Sequence, residues 1–175
     1  MACGFTQVYD VDYYETFAPV AKLASIRSIL TIAARNDWPI DMFDFHSAFL
    51  NNQLDADEDI YMEQPPHHTA ADPDRYIVKL HKSIYSLKQA GRRWYDSLSH
   101  SLADIGLQKS EADPAIFYVH IGSEVVILAI HVDDCTITGS SVTLQNNFKA
   151  RIAARFKLTD LGPILWLLGF AITCD

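Results

Sequence analysis

Apolar residues along this chain fall into three rhythms. In VVILAIHVDDCTITG, residues 125–139, a β-branched run stops at Asp133 and Asp134, and a second short β-prone run leads away from them. The pattern predicts strands over 125–130 and 136–138, joined by a bend that carries both aspartates. Period-two alternation recurs in IDMFDF, where Ile40, Met42 and Asp44 alternate with Asp41, Phe43 and Phe45. Asp44 therefore shares a strand face with two apolar residues, at or near the strand's end.

A helical rhythm appears three times. Leu23, Ile26, Leu30 and Ala33 predict an amphipathic helix ending near Asn36 and Asp37. Trp94, Leu98, Leu102 and Ile105 predict a second, stopped by Gly106, and Leu144, Phe148, Ile152 and Phe156 a third. Residues 1–20 read as extended and loop-rich, residues 60–62 as an edge strand and 76–80 as a short one. Residues 115–120 turn at Gly122 and Ser123 to pair with the strand that follows. Gly162 and Pro163 separate the third helix from a final strand over 166–172. From Asp44 onward the order is strand, helix, hairpin, helix, strand. That is an α+β, ferredoxin-like (split βαβ) arrangement, which can bring Asp44 beside Asp133 and Asp134.

Composition narrows the class. With 175 residues, 49% hydrophobic and 21% charged, the chain has the makings of one globular domain. Three cysteines without a CxxC pair argue against a disulfide framework or a zinc site and suit a reducing compartment. No apolar run reaches membrane-spanning length, so no membrane partner is expected, and the opening MACGFTQVYD has no signal-peptide character. The net charge of −8 is unusual for a nucleic-acid binder, but it is unevenly spread. Asp55, Asp57, Glu58, Asp59, Glu63, Asp72 and Asp74 crowd one segment, whereas Lys79, Lys82, Lys88, Arg92 and Arg93 follow without an acid among them. His67 and His68 have no acid or cysteine at ligand spacing and read as loop residues. Neither GxSxG nor GxxxxGK[ST] occurs.

Taken alone, Asp133-Asp134 is compatible with simple turn chemistry. Three carboxylates from two adjacent strands, however, form a set of hard oxygen ligands suited to Mg2+ or Mn2+ and to two-metal phosphoryl transfer.

The stretches DYYETFAPVAKLASIRSIL, DFHSAFLN, IYMEQPP, KLHKSIYSLKQAGRRWY, HVDDCTITGS and FKLTDLGPILWLLGF resemble, in this order, the reverse transcriptases of copia-type LTR retrotransposons. The resemblance covers essentially the whole chain. It implies a polymerase palm with partial fingers: fingers over 1–38, palm over 39–160, and the start of the primer-grip and thumb junction over 161–175. Asp44, Asp133 and Asp134 would be the catalytic, metal-binding triad. Phe49 would be the aromatic gate against a ribonucleotide, with Gln89 and His131 also at the nucleotide. Leu168, Gly169 and Phe170 would form the primer grip, and Lys88, Arg92 and Arg93 would contact nucleic-acid backbone. The implied partners are a template-primer, a dNTP and the thumb, RNase H and integrase regions of a Pol polyprotein, in an intracellular, virus-like-particle setting.

The chain departs from the family pattern at His131, usually tyrosine, at Asn52 and Ser86, commonly glycine, at Gly91, usually proline, and at Cys3, usually lysine. Two other readings stay open. One is a truncated remnant that keeps the fold without activity. The other is a ferredoxin-like RNA-binding module, which would need exposed aromatics on its central strands, where this chain is mostly aliphatic.

Overall fold

The structure, a computed structural model, describes residues 4–54, 59–65 and 76–173. In chain order it contains α1 (Leu23–Arg35), β1 (Ile40–Phe45), β2 (Tyr61–Met62), β3 (Val78–Lys79), α2 (Ala90–Asp104) and β4 (Gln108–Lys109). These are followed by β5 (Ile116–Ile121), β6 (Glu124–His131), β7 (Asp134–Gly139), α3 (Val142–Ala153), β8 (Leu158–Pro163), β9 (Trp166–Leu167) and β10 (Phe170–Ala171). The chain divides into two compact units, one of Met1–Ala18 and Ser47–Ser97, the other of Pro19–His46 and Leu98–Asp175. His67 and His68, Cys3 and Cys174, and the acids at 55, 57, 58, 72 and 74 lie outside the described residues. No helix among the described residues is long and apolar enough to cross a membrane.

The second unit is built on a six-stranded sheet in the order β4-β5-β6-β7-β1-β8, every pairing antiparallel. Alternation decides its faces. Phe43, Phe45, Cys135, Ile137, Leu128 and Ile130 are buried on the face that meets Phe148 and Ile152 of α3, and Phe45 and Phe156 pack edge to face at 5.6 Å. Ile40, Met42 and Asp44 point the other way and are only half-buried. Two buried polar groups tie α3 and the sheet to one carbonyl: Thr138 Oγ1 donates to Pro39 O at 2.9 Å, and Gln145 Nε2 donates to Pro39 O and Gly139 O at 3.3 and 3.1 Å.

The structure corrects the sequence reading in several places. Residues 158–163, with little β propensity, form β8 and pair with β1 through a register shift at Met42 and Phe43. Pairing to an already formed strand overrides local preference. Residues 166–172 are not one strand. They fold as a hairpin, with Leu168 and Gly169 both left-handed at φ 49° and 84°. On α1 the buried positions are Ile26, Ile29 and Ala33, while Leu23 is exposed. Leu23 and Leu30 instead line an apolar cavity of about 150 Å3 with Leu167, Leu168 and Phe170.

In the first unit, β2 and β3 form a two-stranded ribbon, and Ile60, Leu87 and Ala90 make a small core with Phe49, Leu54, Leu80 and Ile84 packed on it. Of the two residues standing where glycine is usual, Ser86 is left-handed at φ 80°, whereas Asn52 is extended at φ −101°. Asn52 is buried, and neither end of its amide has a hydrogen-bond partner. Gly91 is the second residue of α2, where a helical backbone suits any residue.

Candidate active site

Strands β6 and β7 are joined by the two-residue turn Val132–Asp133, and Asp134 is the first residue of β7. Val132 sits at φ 62°, a conformation that a β-branched residue adopts only under strain. Asp133 is therefore the tip and Asp134 the first paired position. That offset is how two consecutive carboxylates come to lie at one end of the sheet.

From the neighbouring strand, Asp44 pairs directly with Asp134, and the Phe45 N–H donates to Asp133 O at 3.1 Å. The row across the sheet reads His131, Asp134, Asp44, Thr159. Thr159 Oγ1 lies 2.5 Å from His46 Nε2, and His46 N–H donates to Lys157 O.

The electrostatics follow from that row. Burial, then the Asp133 charge, push the Asp44 carboxyl above its usual range, with His46 pulling the other way. Burial, then Asp133 and Asp44, raise Asp134, opposed by His131. Next to them Cys135 is fully buried, and its thiol is pushed well above the usual value, so it is chemically inert. His131 keeps a buried Nδ1 without a hydrogen-bond partner. Among the described residues no three acidic, histidine or cysteine side chains form a ready-made ligand cage. The donor chemistry nevertheless fits a hard divalent cation, because carboxylates that repel one another in a partly desolvated row are relieved by positive charge.

The other predicted site residues are placed as follows. Leu168, Gly169 and Phe170 form the exposed tip of the β9–β10 hairpin in the same unit. In the first unit, Phe49 packs edge-on to Tyr85 at 4.8 Å. Gln89, only 2% exposed, accepts from Gln7 Nε2 and donates to Asp12 O, both at 3.0 Å. Lys88 holds its ammonium 5.3 Å from the centre of the Tyr13 ring. Arg92 is engaged with Asp96 at 2.8 Å, Glu15 at 3.5 Å and the Phe17 carbonyl at 3.3 Å. Arg93 donates its backbone N–H to Gln89 O. Arg92, Arg93 and Gln89 border a polar cavity of about 230 Å3 with Tyr14, Glu15 and Asp96.

Sequence reasoning missed Asp113, a buried carboxylate that caps α1 from a distance. The Asp-Pro pair at 113–114 reads locally as a turn, and nothing in the sequence names its partners.

Comparison with known proteins adds the family context. A family model described as reverse transcriptase (RNA-dependent DNA polymerase) matches residues 1–175. The chain is 39% identical over 97% of its length to the retrovirus-related Pol polyprotein from transposon RE1 of Arabidopsis thaliana. It is 36% identical, again over 97%, to those from transposon RE2 of the same plant and transposon TNT 1-94 of Nicotiana tabacum. It spans 11–13% of the length of these relatives. No solved structure matches the chain significantly.

Proposed function

Because the chain belongs to the reverse transcriptase (RNA-dependent DNA polymerase) family, with copia-type Pol polyproteins as relatives, we propose that it catalyses primer extension. In this reading a primer 3′-hydroxyl attacks the α-phosphorus of a dNTP and pyrophosphate leaves. The chain is the ferredoxin-like palm (39–160) with part of the fingers (1–38) and the start of the thumb junction (161–175) of a larger polyprotein that works in a virus-like particle.

Asp44, Asp133 and Asp134 would hold Mg2+ or Mn2+. When bound, the ions supply Lewis acidity to the attacking hydroxyl and neutralise charge on the leaving phosphate. The carboxylates do the holding and the orienting. Their position at a strand end and a turn leaves all three carboxylates only partly buried. Phe49 excludes a ribose 2′-hydroxyl, His131 stacks beside the nucleotide in place of tyrosine, and Gln89 supports it. Leu168, Gly169 and Phe170 set the primer terminus. Lys88, Arg92 and Arg93 contact phosphates, Arg92 only after giving up its present acidic partners.

The observation that carries this reading is the pairing of Asp44 with Asp134 beside the Asp133 turn. Three mutually repelling acids at this end of the sheet contribute nothing to its packing. The test is extension of oligo-dT on poly-rA with dTTP and Mn2+. Extension by the wild type, abolished in Asp133→Asn at unchanged template-primer binding, is the expected result. No extension by a wild type supplied with its downstream thumb sequence would overturn it in favour of an inactive remnant.

A further inference from the structure

Asp113 has no role in the site described above, yet it is buried, at 3% exposure. Burial alone would raise its carboxyl, but hydrogen bonds from Ser25, Lys22 and Ala115 together hold it below the usual range. Oδ2 accepts from the Lys22 N–H at 2.9 Å and from Ser25 Oγ at 2.6 Å, and Oδ1 from the Ala115 N–H at 3.1 Å. Helix α1 has no side-chain cap of its own, so this carboxylate, 91 residues from Lys22, supplies it.

These bonds continue. The Ala115 carbonyl accepts from the Ile130 N–H at 2.9 Å, and the Ile130 carbonyl accepts from the Ala21 N–H, also at 2.9 Å. Because residues 21 and 22 are adjacent, the path closes: Asp113, Ala115, Ile130, Ala21, Lys22, Asp113. Ile130 is the last β6 residue before His131, whose partner across the turn is Asp134. Beyond that point Val132 holds its strained φ of 62°. Such a turn persists only where its surroundings over-determine it. The ring grips the strand on one side of the turn, and the Phe45 N–H grips Asp133 O on the other.

We propose that Asp113 is a positioning residue for nucleotidyl transfer: by closing a hydrogen-bonded ring at Ile130 it holds the Val132–Asp133 turn so that Asp133 and Asp134 meet Asp44. The proposal rests on the reading of those three acids as the metal-holding set. An asparagine at 113 keeps the shape but turns an N–H2 toward backbone N–H donors, so at least one charge-assisted bond is lost.

The experiment compares wild type, Asp113→Asn and Phe148→Leu, the last a core change in α3 that removes no hydrogen bond of the ring or the turn. In Asp113→Asn, amide exchange at Ile130 and at Phe45 is expected to speed about tenfold, the loss of one such bond read as local opening. Mn2+ binding, followed by water proton relaxation, weakens about tenfold, the size of effect that loss of a residue supporting metal ligands produces. Extension loses kcat with the KM for dTTP unchanged. Phe148→Leu lowers the melting temperature yet leaves exchange at Phe45 and Mn2+ affinity as in the wild type.

Faster exchange confined to residues 21–25 and Ala115, with Phe45 and Mn2+ binding unaltered, would make Asp113 only a helix cap and overturn the proposal. Should Asp113→Asn fail to fold, Ser25→Ala removes a single donor to the same oxygen. Faster exchange at Phe45 then supports the proposal, and unchanged exchange overturns it. A wild type that neither binds Mn2+ nor extends a primer removes the catalytic reading, whereas exchange at Phe45 decides the anchoring by itself.

Discussion

Asp44 and Asp134 face each other as a registered cross-strand pair, the last one that β1 and β7 make before the turn. Two carboxylates directly opposite each other on a sheet are destabilising, so this arrangement works against folding. Asp44→Asn should therefore raise stability by about 0.5 kcal/mol, seen as a melting temperature higher by roughly 1–2 °C. In the same variant primer extension should fall at least about a hundredfold, since a residue that only supports metal ligands already contributes on that scale. Calorimetry and single-turnover extension on one preparation check both halves.

The pH dependence has two opposed parts. The folded-state pKa values of Asp44 and Asp134 lie above the ordinary 3.8. Between 3.8 and those raised values the folded chain binds more protons than the unfolded one, so stability falls as pH rises through that window. Asp113 and Asp160 lie below 3.8, so their contribution is present above it and is lost as pH falls through their folded values. Urea unfolding across the acid range should show Asp44→Asn flattening the upper limb and Asp160→Asn flattening the lower one.

Lys149, 11% exposed, reaches from α3 to Asp41 on β1 at 2.7 Å and to Asp160 on β8 at 2.8 Å. Burial alone would lower its pKa, but the two carboxylates more than offset that and hold it above its usual value. Lys149→Met leaves the largely buried Asp41 without its cation and should cost about 2 kcal/mol, less than a fully buried pair because Asp160 is half exposed to solvent. Denaturant titration measures the loss, and Lys149→Met/Asp41→Leu should recover most of it.

Asn52 offers a stabilising change. Its backbone is extended, so no glycine is needed there, while both ends of its buried amide are unpaired. Asn52→Ala should raise unfolding free energy by about 1 kcal/mol by removing the unsatisfied groups. An unchanged or lower denaturation midpoint would show that the amide is satisfied in solution.

Much of the second unit could be read directly. The β6–β7 hairpin was legible because a β-branched run halts at two acids, and β1 because its apolar residues alternate with the buried pair Phe43 and Phe45. The three helices announced themselves by spacing, and Gly106 marked the end of α2. What escaped was everything decided by a distant partner. LTDLGP has no strand signature of its own and becomes β8 only by pairing with β1. The hairpin tip at Leu168 and Gly169 hid inside an apolar run whose length suited one strand. Asp113 went unnoticed because its donors, Lys22 and Ser25, are far away in sequence. In the candidate site the approach of Asp44 to Asp134 could be expected from the order of the elements. The use of Gln89's amide to tie down Gln7 and Asp12 could not.

Strand β8 is one of the sheet's two outer rails, and such rails invite a second molecule to add itself. Here the rail ends in a glycine at φ 70° followed by Pro163, which has no amide hydrogen to offer, and its spacing against β1 slips by one step partway along. A neighbour would find a bent, interrupted row instead of a template. This rail of the sheet is thereby a poor template for strand-by-strand stacking.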